Sequence, residues 1–274
     1  MVSGLIKYAV LDDGSMERGR AIAEALDAVM ADLPTDVAIL FSGGVDSGLL
    51  AAVAERHSRP RLYTVGVTGS SDLAAAEGSA ARLGLRWRPM IVDGAELERH
   101  CISLLQLIPA DDTITLSFEL PLHIVASCSE EKVLITGQGA DELFAGYHRY
   151  LSLKPRELAR ALETDLAKVM EDIVPLDRRI ADRFGKEVRH PFLDQRMIDQ
   201  ARSIPAEEMI VDGVRKAPLR QAAELLELGS TARREKKAAQ YGSGIMNMLR
   251  SRARARSLTL REYLEELASQ AAIS

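Results

Sequence analysis

Within the 274-residue chain, the hexapeptide Ser42-Gly43-Gly44-Val45-Asp46-Ser47 gathers the densest set of groups able to do chemistry. It follows the apolar run Val37-Ala-Ile-Leu-Phe41 and precedes the Ala- and Leu-rich stretch Gly48 to Arg56. The first reads as a strand buried on both faces and the second as a helix. A glycine turn at that junction lets the backbone approach an anion, and the helix N-terminus supplies free N–H groups and a positive dipole. Ser42 and Ser47 add hydroxyl donors, so the loop suits phosphate or pyrophosphate. Asp46 would repel such an anion unless a cation lay between them, which asks for Mg²⁺. The alternative is a Ser/Asp turn that only caps a helix. Neither G-x-x-x-x-G-K-[ST] nor G-x-G-x-x-G occurs, so a Walker-type ATPase and a dinucleotide Rossmann enzyme are not supported.

A second loop, Thr136-Gly137-Gln138-Gly139-Ala140-Asp141-Glu142, follows the apolar run Val133-Leu-Ile-Thr136. Its Asp141 sits at another strand end, and two aspartates from two strand ends can share one Mg²⁺ bridging phosphate oxygens. Taken alone, Asp141 and Glu142 are also what a helix start favours.

The elements needed to hold these loops alternate. Ile22, Leu26, Val29, Met30 and Leu33 mark a helix ended by Pro34. Strands are expected at 37–41, 62–67, 86–92 and 133–136. Helices are expected at 48–56, 72–83, 95–107 and 117–129, with Ser71 or Asp72 capping the second. Strands separated by helices imply an α/β fold with a doubly wound parallel sheet, whose ligands bind beyond the strands' carboxyl ends. After about Tyr150 the strand signals stop. Residues 1–150 read as a nucleotide-binding core and 151–274 as a helical half that completes the site, within one domain.

Composition fits this picture: 47% hydrophobic, 27% charged and net charge −5, the normal range for a folded soluble protein and not for a surface that binds nucleic acid throughout. No stretch reaches the roughly 18 apolar residues of a membrane span, and a cytoplasmic location is expected. Cys101 and Cys128 are read as buried thiols, too few for a disulfide framework or a zinc site.

The hexapeptide resembles the pyrophosphate loop of the PP-loop ATP pyrophosphatases. The second loop, with Gly146-Tyr147-His148-Arg149-Tyr150, looks specifically like the asparagine synthetase signature. Glu187-Val-Arg189-His-Pro191-Phe-Leu-Asp194, Lys216-Ala-Pro-Leu-Arg220 and Arg234-Glu-Lys236-Lys237 resemble further segments of that family, in family order. The resemblance implies adenylation of a small carboxylate, the aspartate side chain first, by ATP with Mg²⁺. Pyrophosphate leaves and ammonia then attacks. It also implies that Ser42, Gly43, Gly44, Asp46 and Ser47 hold pyrophosphate and that Asp46 and Asp141 hold the metal. Leu40, Val65, Thr136 and Gly137 would contact the adenosine, Lys236 or Lys237 would neutralise phosphate, and Glu187 and Asp194 would line the substrate side.

Two departures follow. Residue 2 is Val2 and the loop begins at residue 42, so a stand-alone form without a glutaminase domain is expected, with ammonia free or from a separate glutaminase subunit. Gln138 stands where the family's stretch is usually acidic. An amide cannot be a general base, which shifts that role to Glu187 or alters the reaction. An RNA-modifying PP-loop enzyme is a competing reading, suggested by Arg233, Arg234, Lys236, Lys237, Arg250, Arg252, Arg254 and Arg256. A non-catalytic ATP-binding module is another. A solvated helix face accounts equally for the later arginines. Tyr241-Gly-Ser-Gly244 reads as a loop able to close on a ligand or as a plain connector.

Overall fold

A computed structural model describes residues 13–229, 231 and 242–271. Five parallel strands form the central sheet: β1 (Asp36–Leu40), β2 (Arg59–Gly66), β3 (Arg86–Ile91), β4 (Val133–Ile135) and β5 (Glu187–Arg189). Their order is β3-β2-β1-β4-β5. From β1 the chain first winds outward through β2 to β3, then returns to place β4 on the other side of β1. The winding direction therefore reverses between β1 and β4, which is where an open parallel sheet leaves a crevice for ligand.

Alternation along the strands feeds two cores. Val37 and Ile39 of β1, with Val133 and Ile135 of β4, face one cluster, and Ala38 and Leu134 face the other. On the first face lie α1 (Asp13–Met30), α2 (Val45–His57), α3 (Ser71–Leu83), α7 (Pro155–Lys168), α9 (Gln195–Arg202) and α10 (Ala217–Leu225). On the second lie α4 (Gly94–Leu104), α5 (Thr113–Cys128), α8 (Val174–Asp182), α11 (Ile245–Ala255) and α12 (Leu260–Ala271). Ile22, Leu26 and Met30 of α1 are fully buried, each burial worth about 1.5–3 kcal/mol. The edge strand β3 carries Arg86, Arg88 and Pro89, which oppose pairing with another chain.

Helices after residue 150 pack on the sheet, and this part of the chain also donates β5. That strand went unrecognised because only Val188 of its three residues is apolar. It is held at the edge by Lys186, whose Nζ donates to the Ser129 carbonyl at 2.5 Å and the Glu131 carbonyl at 2.7 Å. Pro155 and Pro218 begin helices rather than only breaking them, since a first-turn N–H has no helical partner to lose. Helix α5 starts four residues earlier than expected, with the Asp112 carboxylate accepting from the Thr115 amide, and it carries Pro121 inside. The residue preceding α3 is Ser70, not Ser71 or Asp72, and its hydroxyl makes no cap bond. Cys101 is buried, and burial pushes its thiol up to about 12. Cys128 is exposed, contrary to expectation, because it ends α5 on the solvent side. Among the described residues no helix is long and apolar enough to cross a membrane.

Candidate active site

The hexapeptide joins β1 to α2, as its sequence requires. Gly43 has φ +68°, and a Cβ there would lie 2.8–2.9 Å from the backbone of Ala75 and Ala76 in α3. Only glycine meets both demands. The Ser42 amide donates to Ser47 Oγ at 3.2 Å, and the two serine hydroxyls stand 3.3 Å apart. These bonds fold the loop back over the start of α2. Gly44, the residue preceding α2, has no side chain to cap the first-turn amides of that helix. Thr64 Oγ1 donates to the Phe41 carbonyl and accepts from Trp87 Nε1 at 2.9 Å, which ties the end of β1 to β2 and β3.

The second loop leaves β4 on the other side of the switch point. The Thr136 amide donates to the Arg189 carbonyl at 3.1 Å, extending the pairing with β5. Gly137 then passes beside Asp46, with a hypothetical Cβ 3.6 Å from the Asp46 Cβ. A single helical turn, α6 (Ala140–Leu143), presents Asp141. Two residues beyond it Ala145 stands at φ 53°, and the Gly146 amide donates to the Asp141 carbonyl at 2.8 Å.

Asp46 and Asp141 thus converge, and what lies between them is Lys216. Its Nζ is 2.7 Å from Asp46 Oδ2 and 2.7 Å from Asp141 Oδ1. Lys216 stands at φ 58° at the entrance to α10, directly after the short hairpin strand Val214–Arg215. The neighbouring Arg215 guanidinium donates to the Gly146 carbonyl at 2.5 Å. Burial by itself would lower the pKa of the ammonium. The charges of Asp141 and Asp46 outweigh it and hold the group above the ordinary lysine value. A Cβ on Gly146 would run into Asp141 Oδ1 and Lys216 Cε, so the glycine is required by close approach.

The donor set also fits a divalent cation. Asp46 Oδ1 is buried without a hydrogen-bond partner among the described residues, and two convergent carboxylates are the usual protein contribution to an Mg²⁺ that takes its other ligands from phosphate and water. Among the described residues no cluster of three or more potential ligands forms, so the site is not a closed metal cage.

The remaining candidates divide. Leu40 and Val65 lie near the carboxyl ends of β1 and β2, beside the loops. Thr136 and Gly137 lie at the switch point, and the Gln138 amide donates to Thr136 Oγ1 at 3.3 Å. Glu187 does not join them. It begins β5, its amide donating to the Lys132 carbonyl at 2.9 Å, and so lies at the amino-terminal edge of the sheet. Its exposed carboxylate pairs with Arg189 Nε at 2.6 Å. Asp194 caps α9, accepting from the Arg196 amide at 2.9 Å and pairing with its guanidinium, which holds the carboxyl below the usual range. Lys236 and Lys237 lie outside the described residues, as do Arg233, Arg234 and Tyr241. Gly242 to Gly244 are fixed on the β2–α3 connection, where the Val67 amide donates to the Ser243 carbonyl at 2.9 Å. Arg252 and Arg256 pair with Glu98, which suits the solvated-face reading.

Lys216 is the functional candidate that sequence reasoning left without a role. Its segment was noticed, but nothing in the spacing joins it to an aspartate 170 positions away.

The asparagine synthase family model matches residues 19–157 and 151–274. An asparagine synthetase 1 (glutamine-hydrolyzing) homologue of Methanocaldococcus jannaschii is 32% identical over 252 residues, covering 78% of this chain and 47% of that protein. Asparagine synthetase B (glutamine-hydrolyzing) of Escherichia coli is 27% identical over 268 residues, covering 87% of this chain and 47% of its own length. The chain spans about half the length of these two relatives. Among solved structures, NMN synthetase from Francisella tularensis is similar over 94% of this chain and 87% of that one, at TM-score 0.46 and 12% identity. With the family model spanning both loops and the Lys216 segment, the chain belongs to the asparagine synthase family.

Proposed function

We propose that this chain carries out ATP-dependent amide formation: a small carboxylate, foremost the aspartate side chain, is adenylated with release of pyrophosphate, and ammonia then displaces AMP. The observation that carries the reading is the convergence of Asp46 and Asp141 on one buried cationic centre at the switch point of the sheet. Asp46 and Asp141 would hold Mg²⁺, which when bound neutralises phosphate oxygens and makes pyrophosphate a better leaving group.

The chain's own residues do the rest. Amides of residues 43–47 and the hydroxyls of Ser42 and Ser47 cradle the departing pyrophosphate, with the dipole of α2 behind them. Lys216 supplies positive charge from the α10 side, and Lys236 or Lys237 would add more. Leu40, Val65, Thr136 and Gly137 are the proposed adenosine contacts. In the first step a carboxylate oxygen bonds to the α-phosphorus as the bond to the β-phosphate oxygen breaks. In the second, ammonia nitrogen bonds to the acyl carbon, loses a proton, and the acyl–oxygen bond to AMP breaks. Gln138 can orient a reactant by hydrogen bonding but cannot take that proton, and Glu187 lies at the opposite edge of the sheet. The RNA-modifying reading loses some support, since Arg252 and Arg256 of the later arginines are engaged with Glu98 and Glu266. The source of ammonia, a separate glutaminase subunit included, belongs to the same proposal.

The test is pyrophosphate release from ATP and Mg²⁺ with aspartate or other carboxylates, with and without ammonium. Aspartate-dependent release that yields AMP and asparagine once ammonium is added supports the full reading. Release with another acid keeps the chemistry and replaces the substrate. No release with any acid, despite bound ATP, refutes it.

A further inference from the structure

Behind the second loop lies a file of buried polar side chains contributed by four separate elements. Glu119 of α5 and Asp177 of α8 are 4% and 3% exposed. His190 follows β5, and Thr136 follows β4. His190 Nδ1 lies 2.7 Å from Thr136 Oγ1, and Nε2 lies 3.5 Å from Asp177 Oδ2. The Gln138 amide donates to Thr136 Oγ1. Asp177 Oδ1 and His190 Nε2 have no conventional partner among the described residues, which for buried groups requires an explanation.

We infer that Glu119, Asp177 and His190 form a one-directional hydrogen-bond chain that positions Thr136, and through it the backbone of the second loop. One proton arrangement links the four side chains, with Asp177 Oδ1 still without a partner among the described residues. Two buried carboxyls in contact cannot both ionise. Burial, and the charge of Asp177, push Glu119 well above the ordinary glutamate value; burial raises Asp177 less, to about 6. Of the pair, Glu119 holds the proton and donates to Asp177, which carries the negative charge. Burial, with the charge of Arg178, lowers His190 to about 4, so the ring is neutral. An anion facing Nε2 selects the Nε2–H tautomer and leaves Nδ1 a bare acceptor. Thr136 must then donate its hydroxyl proton to Nδ1, leaving its lone pairs for the Gln138 amide.

This has a consequence for the ligand, which rests on the proposed nucleotide site. Any group meeting Thr136 Oγ1 meets an acceptor, so a ribose hydroxyl is accommodated and a phosphate oxygen is not. These side chains are positioning residues, since they act through Thr136.

The test uses the full chain labelled with ¹⁵N-histidine and ATP titration in the presence of Mg²⁺. At pH 7 the His190 spectrum should show a neutral Nε2–H ring. E119Q retains a donor toward Asp177 and should leave both the tautomer and ATP affinity within about twofold. H190L should weaken ATP at least about tenfold, as expected for one mispaired buried hydrogen bond near the loop. H190N, which can place its carbonyl where Nδ1 accepts, should recover most of that loss. A charged or Nδ1–H ring in the wild-type spectrum overturns the inference, as does H190N binding no better than H190L while both are folded. A wild-type chain that binds no ATP refutes the functional reading instead, and the histidine spectrum still decides the direction of the chain.

Discussion

Replacing Lys216 by Met keeps most of the side-chain volume and removes the charge that Asp46 and Asp141 share. Lys216 and Asp46 are 7% and 11% exposed at their side chains, whereas Asp141 is 33% exposed. In K216M Asp46 Oδ2 loses the lysine, and neither oxygen then has a partner among the described residues, because Oδ1 already has none. Breaking a buried pair by deleting one member costs about 3–5 kcal/mol, and the more exposed Asp141 adds little because water screens it. At about 2–4 °C per kcal/mol for a chain near this size, the melting temperature should fall by roughly 6–20 °C in EDTA. The same variant should bind a divalent cation where the ammonium stood. Mg²⁺ at a hundred times its dissociation constant would restore about 2.7 kcal/mol. The assay is thermal unfolding of wild type and K216M, each in EDTA and across an Mg²⁺ series. A variant within about 1 kcal/mol of wild type in EDTA refutes the charge argument. Equal responses of the two proteins to Mg²⁺ refute the claim that lysine and metal use the same carboxylates.

G146A forces a methyl group against the Asp141 carboxylate and Lys216; pyrophosphate release should fall by at least about a hundredfold, since a misplacement of about 1 Å costs that much. E187Q should leave kcat and KM within about twofold, because Glu187 is at the far edge of the sheet, and a tenfold loss in kcat would return it to the chemistry. D194A removes the α9 cap and should cost about 1 kcal/mol in denaturant unfolding without changing ATP affinity. Burial, together with the charges of His100 and Arg183, lowers His123 to about 4. The unfolded chain then binds its proton first as pH falls, so this group's contribution is present above about pH 6.5 and lost between there and about 4. H123N should flatten the pH dependence of unfolding in that window by up to about 1.4 kcal/mol per pH unit, and an unchanged slope counts against a neutral buried ring.

The loop proposed to hold pyrophosphate was legible because all of its parts are contiguous. Strand, glycine turn, hydroxyls and helix start follow one another within Val37 to Arg56, and each has a local signature that needs no partner elsewhere. The same holds for β4 and the loop after it, and for the alternation that made the sheet parallel. Glu187 was misplaced because a motif gives no strand direction. Glu-Val-Arg has one apolar residue, too few to mark a strand, and only pairing with β4 shows that Glu187 enters the sheet where Arg189 leaves it. Lys216 and the Glu119–Asp177–His190 chain were invisible for a related reason. Charge and proton sharing depend on distances between residues 13 to 170 positions apart, and those distances are set by helix packing. Sequence determined which groups could meet an anion; tertiary structure decided which cation stands among them, because burial turns a lysine beside two aspartates from a solvated charge into a fixed part of the site.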